Sequence, residues 1–317
     1  MNGKSIKAFA PATVANVCCG FDVLGFALEN IGDEVCIKEL GSDNVVISEI
    51  TGSTQLSKNA DENIVGIIAK QMLARAGNKN GLEIKLNKGL GIGSGLGSSA
   101  ASSAAIAFAV NEFLGKPFTS NQLIEFAMEG ERHASGTAHA DNVAPALLGG
   151  FTLVKSYEPL DVISVPVKAK LFCTIVHPQV ELRTSLSRNI LKQEISLKAS
   201  VKQSGNIAGL ILGLVQGDYD LIARSLHDDI IEPQRGSLIP LFYKAKQAAI
   251  DAGALGGGIS GSGPSLFALS KSEEDAEKVK LAFEAVYHGT GINVNTFTSK
   301  VALQGAQIVK NPEHSMC

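Results

Sequence analysis

The chain is poor in aromatic and charged residues. Of its 317 residues only 5% are aromatic, none is tryptophan and 19% are charged, whereas 45% are hydrophobic. This composition predicts a globular protein with an aliphatic core, and the length suffices for two domains. A net charge of -3, with no basic stripe, excludes the electrostatic footprint of a nucleic-acid-binding protein.

Long apolar runs and a regular cysteine pattern are also missing. No apolar run reaches the roughly 20 residues that a membrane-spanning helix requires, and the amino-terminal segment lacks the apolar core of a signal peptide. The five cysteines show no metal-ligand spacing, so we expect small buried or incidental thiols. These absences predict a cytoplasmic protein without membrane or nucleic-acid partners.

Glycine, in contrast, is concentrated in one stretch. Residues 89–105 read GLGIGSGLGSSAASSAA, so a backbone free to adopt positive φ leads into a good helix former. The start of such a helix offers unpaired N–H donors to an anion. The stretch predicts a phosphate site, with a flexible connection as the alternative. It lacks the GK[ST] of a P-loop, and no βαβ series of a dinucleotide fold is evident.

The text GLGSSAA at 95–101, followed by an alanine-rich helix, resembles the phosphate loop of the GHMP kinases. This superfamily includes galactokinase, homoserine kinase, mevalonate kinase and phosphomevalonate kinase. The usual proline four residues before GLGSS is Gly91 here, which loosens the loop but keeps its donors. The resemblance implies that the loop binds ATP and that Asn63 lies near the adenine. The implied nucleotide-binding residues are Asn63, Gly91, Ile92, Gly93, Ser94, Gly95, Leu96, Gly97, Ser98, Ser99, Ala100 and Ala101.

An aspartate interrupts the apolar segment near the amino terminus. Asp22 is costly in such surroundings unless it is paired; it either caps a local turn or holds a cationic group of a substrate. The text PATVANxxxGFDVLGFAL at 11–28 resembles the homoserine kinase branch of the superfamily. The resemblance implies that Asn16 and Asp22 lie in the acceptor site, with Asn16 orienting the hydroxyl and Asp22 receiving an ammonium group.

Residues 121–133 are predicted to form an amphipathic helix, with Glu125 and Glu129 on a solvated face. Glu131 stands eight residues before His139, and there the resemblance implies that it reaches Mg²⁺ together with Ser99. One carboxylate and one hydroxyl suffice, because Mg²⁺ usually keeps several waters and phosphate oxygens.

A cluster of polar residues follows in SGTAHADNVAPALLGGF at 135–151. From the residues alone the cluster is either a helix cap or a site. The text again resembles homoserine kinases, which implies that His139 and Asp141 are substrate contacts. In the mevalonate and galactose branches a catalytic aspartate stands eleven residues after the Mg²⁺ glutamate. That position is Asn142 here, which cannot take a proton, so we expect the γ-phosphate or water to accept it.

The second half supplies two arginines. Thr184 and Arg188 stand one helical turn apart in ELRTSLSR. An isolated arginine such as Arg235 is most often exposed, but within DDxxEPxR the resemblance places it with Arg188 at the substrate carboxylate, with Thr184 as a supporting contact. A guanidinium suits this task because it donates two parallel bonds. The glycine-rich residues 253–265 resemble the superfamily's C-terminal motif, which closes the cleft.

Together these motifs imply the α+β GHMP kinase fold. We expect an ATP-binding domain like ribosomal protein S5 domain 2 at 1–160 and a ferredoxin-like substrate domain at 161–317, with the site between them. Residues 33–40 and 44–50 are expected to pair as a β-hairpin. The implied activity is ATP- and Mg²⁺-dependent phosphorylation of L-homoserine in threonine biosynthesis by a homodimer. The alternatives are another GHMP small-molecule kinase and a non-catalytic ligand sensor.

Overall fold

The computed structural model describes residues 4–91, 93–136 and 139–309. In that part of the chain, two β-sheets are packed with helices, so the predicted α+β class is confirmed. None of the helices described there is long and apolar enough to cross a bilayer.

The first sheet has seven strands in the order β11-β1-β2-β4-β3, and β5 and β6 extend it from β2. Four helices cover it around an aliphatic core that contains Ile37, Ile68, Ile84 and Val110. The strands are β1 (Ser5–Ala15), β2 (Leu24–Leu40), β3 (Val45–Thr51), β4 (Gly81–Asn87), β5 (Phe151–Tyr157), β6 (Leu160–Val165) and β11 (Gln307–Ile308), and the helices are α1 (Ile64–Arg75), α2 (Ser98–Phe113), α3 (Ser120–Ser135) and α4 (Ala140–Leu148).

The predicted hairpin between 33–40 and 44–50 is wrong. Both segments are strands, but β3 pairs in parallel with β4, with Ile47 opposite Ile84. The antiparallel neighbour of β2 on that side is β4. After α1 the chain returns and inserts β4 between the two segments. The alternation of apolar residues shows that a strand has a buried face, but it does not identify the neighbouring strand.

The second sheet has the antiparallel order β10-β7-β9-β8. Its β-α-β-β-α-β succession is the ferredoxin-like arrangement. The glycine-rich segment 253–265 is not all loop, because Gly256–Ile259 forms an edge strand. The strands are β7 (Phe172–Pro178), β8 (Gly256–Ile259), β9 (Leu266–Ser270) and β10 (Val294–Lys300), and the helices are α5 (Thr184–Asn189), α6 (Leu197–Gln216), α7 (Tyr219–Ser225), α8 (Glu232–Arg235), α9 (Phe242–Asp251) and α10 (Glu273–Tyr287).

The two sheets share a packed apolar core. The ring of Phe26 on β2 lies 4.8 Å from that of Phe151 on β5 and 5.9 Å from that of Phe267 on β9. All three side chains are buried. The chain passes from the first sheet to the second between Val165 and Phe172, shortly after the boundary predicted at 160, and it returns to the first sheet after β10, where β11 pairs with β1. The second sheet therefore does not extend to residue 317 as the predicted substrate domain does. This core joins the walls of the cleft described below.

The cysteines follow the expectation only in part. Cys18, Cys19 and Cys173 are buried free thiols, whereas Cys36 is disulfide-bonded. The prediction of an incidental thiol is therefore wrong at Cys36.

Candidate active site

A cleft of about 650 Å³ lies between the two sheets. Its walls come from the β1–β2 loop, the glycine-rich loop before α2, the starts of α1 and α4, the end of α3 and the second half of the chain. Every acceptor-site residue predicted from the sequence lines it: Asn16, Asp22, His139, Asp141, Thr184, Arg188 and Arg235, together with Glu131 and Asn142.

The glycine-rich loop winds directly into α2. Gly93, Gly95 and Gly97 have φ values of 75°, 73° and 63°, a region that favours glycine. Gly97 is also the N-cap of α2 and has no side chain to bond the first N–H groups. Those donors and the helix dipole face the cleft, which is the arrangement that binds phosphate.

The predicted nucleotide contacts that lie among the described residues fall into three groups. Gly93, Ser94, Gly95, Gly97, Ser98 and Ser99 line the cleft, as does Asn63, whose side chain also caps α1 by accepting from Val65 N–H. Leu96, Ala100 and Ala101 are buried, so their side chains belong to the core and only their backbone remains for a ligand. Gly91 is exposed and has no atom within 4 Å of a Cβ built there. Ile92 lies outside the described residues.

The second glycine-rich segment holds the first one in place. Ser260 Oγ donates to the carbonyl of Gly95 at 2.7 Å, and Ser265 Oγ donates to the carbonyl of Ser94. A Cβ at Gly95 would lie 2.8 Å from Ser260 O and 2.9 Å from Gly263 O. The two loops are therefore in backbone contact, as the resemblance implied.

Ser99 and Glu131 meet beside the loop. The hydroxyl of Ser99 donates a hydrogen bond to Glu131 Oε1. Burial raises the pKa of Glu131, while the Ser99 bond and the charge of Lys88 act in the opposite direction. The described residues contain no group of three or more His, Cys, Asp and Glu side chains suited to a metal. A carboxylate next to a hydroxyl is nevertheless an oxygen donor set that fits a hard cation completed by water and phosphate.

Asn142 lies at the start of α4 and faces the same loop. Its Oδ1 accepts a hydrogen bond from Thr13 Oγ1 at 2.7 Å. A Cβ at Gly97 would lie 2.1 Å from Thr13 Oγ1 and 2.8 Å from Asn142 Oδ1. The amide is therefore held against the start of α2.

Asp22 and Arg188 form the centre of the acceptor end. Arg188 donates to Asp22 Oδ2 at 3.0 Å from Nη1 and to Asp22 Oδ1 at 2.7 Å from Nη2. Arg188 Nη2 also lies 3.4 Å from His139 Nδ1. Burial opposes the charge of Arg188, but the hydrogen bond and the charge of Asp22 outweigh it and raise its pKa. The pair joins the β1–β2 loop to α5.

Arg235 stands beside this pair, buried at the end of α8. Its Nε donates to the carbonyl of Ser187 at 2.8 Å. The guanidinium carbons of Arg188 and Arg235 lie 5.4 Å and 4.9 Å from the centre of the Phe21 ring. Burial and the neighbouring Arg188 lower the pKa of Arg235 to about 10. Two guanidiniums beside one aromatic ring form a site suited to a carboxylate.

Asn16 connects the acceptor end to the second glycine segment. Its Nδ2 donates to Gly261 O at 2.6 Å, and its Oδ1 accepts from Asp22 N–H at 3.0 Å. Asn16 and Asp22 have φ values of 70° and 59°, which asparagine and aspartate tolerate better than most residues. The strained loop thus presents both side chains to the cleft.

Several buried polar atoms of the cleft have no hydrogen-bond partner among the described residues. They are Ser94 Oγ near the phosphate loop and His139 Nε2, Asp141 Oδ1 and Arg188 Nε at the acceptor end. Buried polar groups are normally satisfied. Burial lowers the pKa of His139 and raises that of Asp141 to about 7. These atoms are the ones that a polar ligand would satisfy.

Three residues that contact the lining of the cleft were not predicted from the sequence. Thr13 and Phe21 stand inside the motif at 11–28 but received no role, and Tyr157 received none. Tyr157 Oη donates to Asp22 O at 2.9 Å and accepts from Ala140 N–H at 3.3 Å. Adjacency to Asp22 was the available signal for Phe21, whereas nothing in the sequence pointed to Tyr157.

Comparison with known proteins places the chain in a family. Two family descriptions match it: "GHMP kinases N terminal domain" over residues 63–150 and "GHMP kinases C terminal" over residues 210–289. The homoserine kinase of Chlorobium phaeobacteroides is 46% identical over 96% of the chain and 100% of that relative. The chain belongs to the homoserine kinase family.

Other members of the homoserine kinase family agree with this. The homoserine kinase of Chloroherpeton thalassium is 45% identical over 96% of the chain and 100% of the relative. The crystal structure of homoserine kinase from Cytophaga hutchinsonii superposes with a TM-score of 0.92 at 51% identity, covering 96% of this chain and 97% of that one. The GHMP kinase fold inferred from the motifs is therefore confirmed.

Proposed function

We propose that the protein transfers the γ-phosphoryl group of ATP to the side-chain hydroxyl of L-homoserine, yielding O-phospho-L-homoserine as a step of threonine biosynthesis. The observation that supports this proposal is that one cleft contains both an anion-binding helix start and a cluster of charged side chains. A glycine-rich helix start faces one end, and an Asp22–Arg188–Arg235 cluster of complementary charge faces the other. An amino acid that bears a hydroxyl fits between them.

The nucleotide end works by positioning and charge stabilisation. Backbone donors of the loop bind the phosphates, and Ser94 Oγ, which lacks a partner among the described residues, adds a hydroxyl. Ser99 and Glu131 would hold Mg²⁺. When bound, that ion neutralises phosphate charge as it develops in the transition state. The contact between Ser260 and Gly95 keeps the loop closed around the phosphates.

The acceptor end recognises the amino-acid head group. Arg188 and Arg235 bind the carboxylate, and the carboxylate of Asp22 receives the ammonium group. His139 Nε2 and Asp141 Oδ1 add the polar contacts that they lack among the described residues. Asn16, fixed by Gly261 O and Asp22 N–H, orients the hydroxyl toward the γ-phosphate.

No side-chain base acts on the hydroxyl proton in this proposal. The side chain at the position of the expected aspartate is Asn142, whose Oδ1 already accepts from Thr13. The proton passes to the γ-phosphate or to water. Rate enhancement therefore rests on backbone donors and fixed charges at the transferring group.

A coupled ADP-release assay with homoserine, mevalonate, galactose and shikimate tests the activity. We expect turnover on homoserine far above the other three, and a Mg²⁺ requirement in the same assay. Preference for another alcohol would assign a different GHMP substrate. ATP binding without turnover on any of the four would indicate a ligand sensor.

A homodimer in the cytoplasm remains part of this proposal. The support for self-association is an apolar surface on α6, where Leu197 and Val201 are 80% and 65% exposed and Leu212 is 48% exposed. Light scattering after size-exclusion chromatography measures the mass in solution. A monomer at micromolar concentration would contradict the homodimer.

A further inference from the structure

A buried ion pair lies beneath the phosphate loop and is not among the residues assigned above. Lys88 is the last residue before the loop, and Asp33 is on β2; their side chains are 2% and 0% exposed. The ammonium of Lys88 has three partners: Asp33 Oδ2, Ser98 O at 2.7 Å and Ser102 Oγ at 3.0 Å. An ammonium has three N–H donors, so this lysine has none left for a phosphate.

Both carboxylate oxygens of Asp33 also accept hydrogen bonds from residues of the loop and of α2. Its Oδ1 accepts from Gly89 N–H at 3.0 Å, and its Oδ2 accepts from Ser102 Oγ at 2.6 Å in addition to the lysine. Gly89 is the first residue of the loop, and Ser98 is the first residue of α2. One neutral ion pair therefore bonds the backbone at both ends of the loop.

The same region shows close backbone packing. A Cβ at Gly89 would lie 2.2 Å from the carbonyl oxygen of Gly32, the residue before Asp33. Ser98 Oγ donates to Leu90 O at 3.3 Å, which adds a second bond between the two ends. The amino-terminal end of the loop therefore packs directly against β2, and the carboxy-terminal end is hydrogen-bonded to the amino-terminal end.

We propose that Lys88 and Asp33 are positioning residues that fix the distance between the two ends of the phosphate loop. They act through the backbone of Gly89 and Ser98, and so fix the place of the Ser99 hydroxyl and of the loop donors. This inference rests on the proposed function, in which the loop binds ATP. A displacement of about 1 Å at such a site costs roughly a hundredfold in rate, so a rigid base matters for the reaction.

The double variant Lys88→Met/Asp33→Asn separates positioning from folding. Removing one partner alone leaves a buried charge uncompensated and destabilises strongly, whereas replacing both with neutral side chains is often tolerated. An asparagine still accepts from Gly89 N–H, but a methionine cannot donate to Ser98 O. The matched control is Lys85→Met/Glu49→Gln, a pair 3.7 Å apart on β4 and β3 whose side chains are 38% and 53% exposed.

The main readout is the Kd of a non-hydrolysable ATP analogue with Mg²⁺, measured by calorimetry. We expect the double variant to raise this Kd about tenfold and to lower kcat/KM for ATP by about 10- to 100-fold. The KM for homoserine stays within about twofold, because the acceptor residues do not contact the pair. The control changes none of these quantities.

An analogue Kd unchanged in the folded double variant overturns the proposal, as does an equal rise in the control. If the double variant does not fold, Gly89→Ala provides a second test, because it displaces only the upstream end, and an unchanged Kd there also overturns it. A wild-type protein that binds the analogue but does not phosphorylate homoserine contradicts the proposed function alone. The Kd comparison still decides the role of the pair in that case.

Discussion

Arg188 donates two hydrogen bonds to the carboxylate of Asp22, at 3.0 Å and 2.7 Å, across a sequence separation of 166 residues. This contact joins the two halves of the chain at the acceptor end of the cleft. It also means that Asp22 neutralises an arginine before any substrate arrives. Under the proposed function, an incoming amino acid would present its carboxylate to Arg188 and its ammonium group to Asp22, so each side chain would exchange one opposite charge for another.

Asp22→Asn should weaken homoserine binding chiefly through the ammonium group. We expect the KM for homoserine to rise by about tenfold or more, since hydrogen bonds to charged groups are worth about 1.5–3 kcal/mol. The discriminating substrate is 4-hydroxybutyrate, which lacks the amino group. Its weak turnover should fall much less. An equal loss on both compounds would show that Asp22 acts only by orienting Arg188.

Arg235→Ala should have the complementary effect on the carboxylate. The KM for homoserine is expected to rise about 10- to 100-fold, while the KM for ATP changes little because Arg235 bonds Ser187 O and Gly261 O and not the phosphate loop itself. The activity on 3-aminopropan-1-ol, which lacks the carboxylate, should be nearly unaffected. Arg183→Ala is a matched control, because that side chain is 79% exposed and pairs with Glu181. Equal increases in both KM values would refute the carboxylate assignment.

Asn142→Ala should leave more activity than Glu131→Ala. Loss of a general base typically costs about 10²- to 10⁴-fold, so we expect the asparagine variant to stay within about tenfold of wild type. The buried Thr13 hydroxyl would lose its partner, at a cost of about 1–3 kcal/mol in stability. Thermal unfolding measured beside steady-state kinetics separates the two effects. The control is Glu125→Ala, because Glu125 is an exposed residue of α3, the helix that carries Glu131. The reverse ranking of the two variants would give Asn142 a direct chemical role.

Asp141 should make stability depend on pH in a predictable direction. Burial, with the charges of Asp22 and Glu131, raises its pKa to about 7, against about 3.9 in an unfolded chain. The folded state therefore binds more protons in that interval, and this group lowers the free energy of unfolding as pH rises from about 4 to about 7.

Asp141→Asn removes this dependence. From pH 5 to pH 8, the free energy of unfolding of the variant should rise relative to that of wild type by an amount on the order of a few kcal/mol. Urea unfolding at both pH values measures the difference, and Asp161→Asn, an exposed pair with Lys155, is the control. A constant difference between variant and wild type at the two pH values would show that Asp141 is ionised in the folded protein throughout.

Alanine should be tolerated at Gly91 and should destabilise the protein at Gly97. A Cβ at Gly91 meets no atom within 4 Å, whereas one at Gly97 would lie 2.1 Å from Thr13 Oγ1 at a φ of 63°. Gly91→Ala should therefore change stability by less than about 1 kcal/mol and leave the KM for ATP unchanged. Gly97→Ala combines strain of about 1–3 kcal/mol with displacement of Thr13. Unfolding curves and ATP kinetics on both variants check this, and equal effects would count against the described loop.

The sequence was most informative where a local pattern implies a local structure. The glycines before an alanine-rich helix predicted the loop and α2, and the family resemblance linked Ser99 to Glu131, whose side chains do meet. The resemblance also gathered residues from both halves that line one cleft. Their individual roles remain predictions.

The long-range partners could not be derived in this way. Asp33 and Lys88 look like ordinary polar residues of alternating strands, and only the insertion of β4 beside β2 brings them together beneath the loop. The same insertion defeated the hairpin prediction, because a strand pattern fixes which face is buried and not which strand is adjacent. The bond between Ser260 Oγ and Gly95 O likewise depends on how the two sheets meet.

The last strand changes how the two sheets are connected. After β10 the chain runs back along β2, where Ala302 N–H donates to Ala27 O at 2.9 Å, and β11 then pairs with β1 opposite Ala8 and Phe9. The segment that forms the second sheet is thus an insertion in the chain of the first sheet. The chain crosses between the sheets twice, at 166–171 and 301–306. Two crossings hold the second sheet at both of its chain ends. A break in the chain at one crossing would therefore leave the two sheets covalently joined through the other.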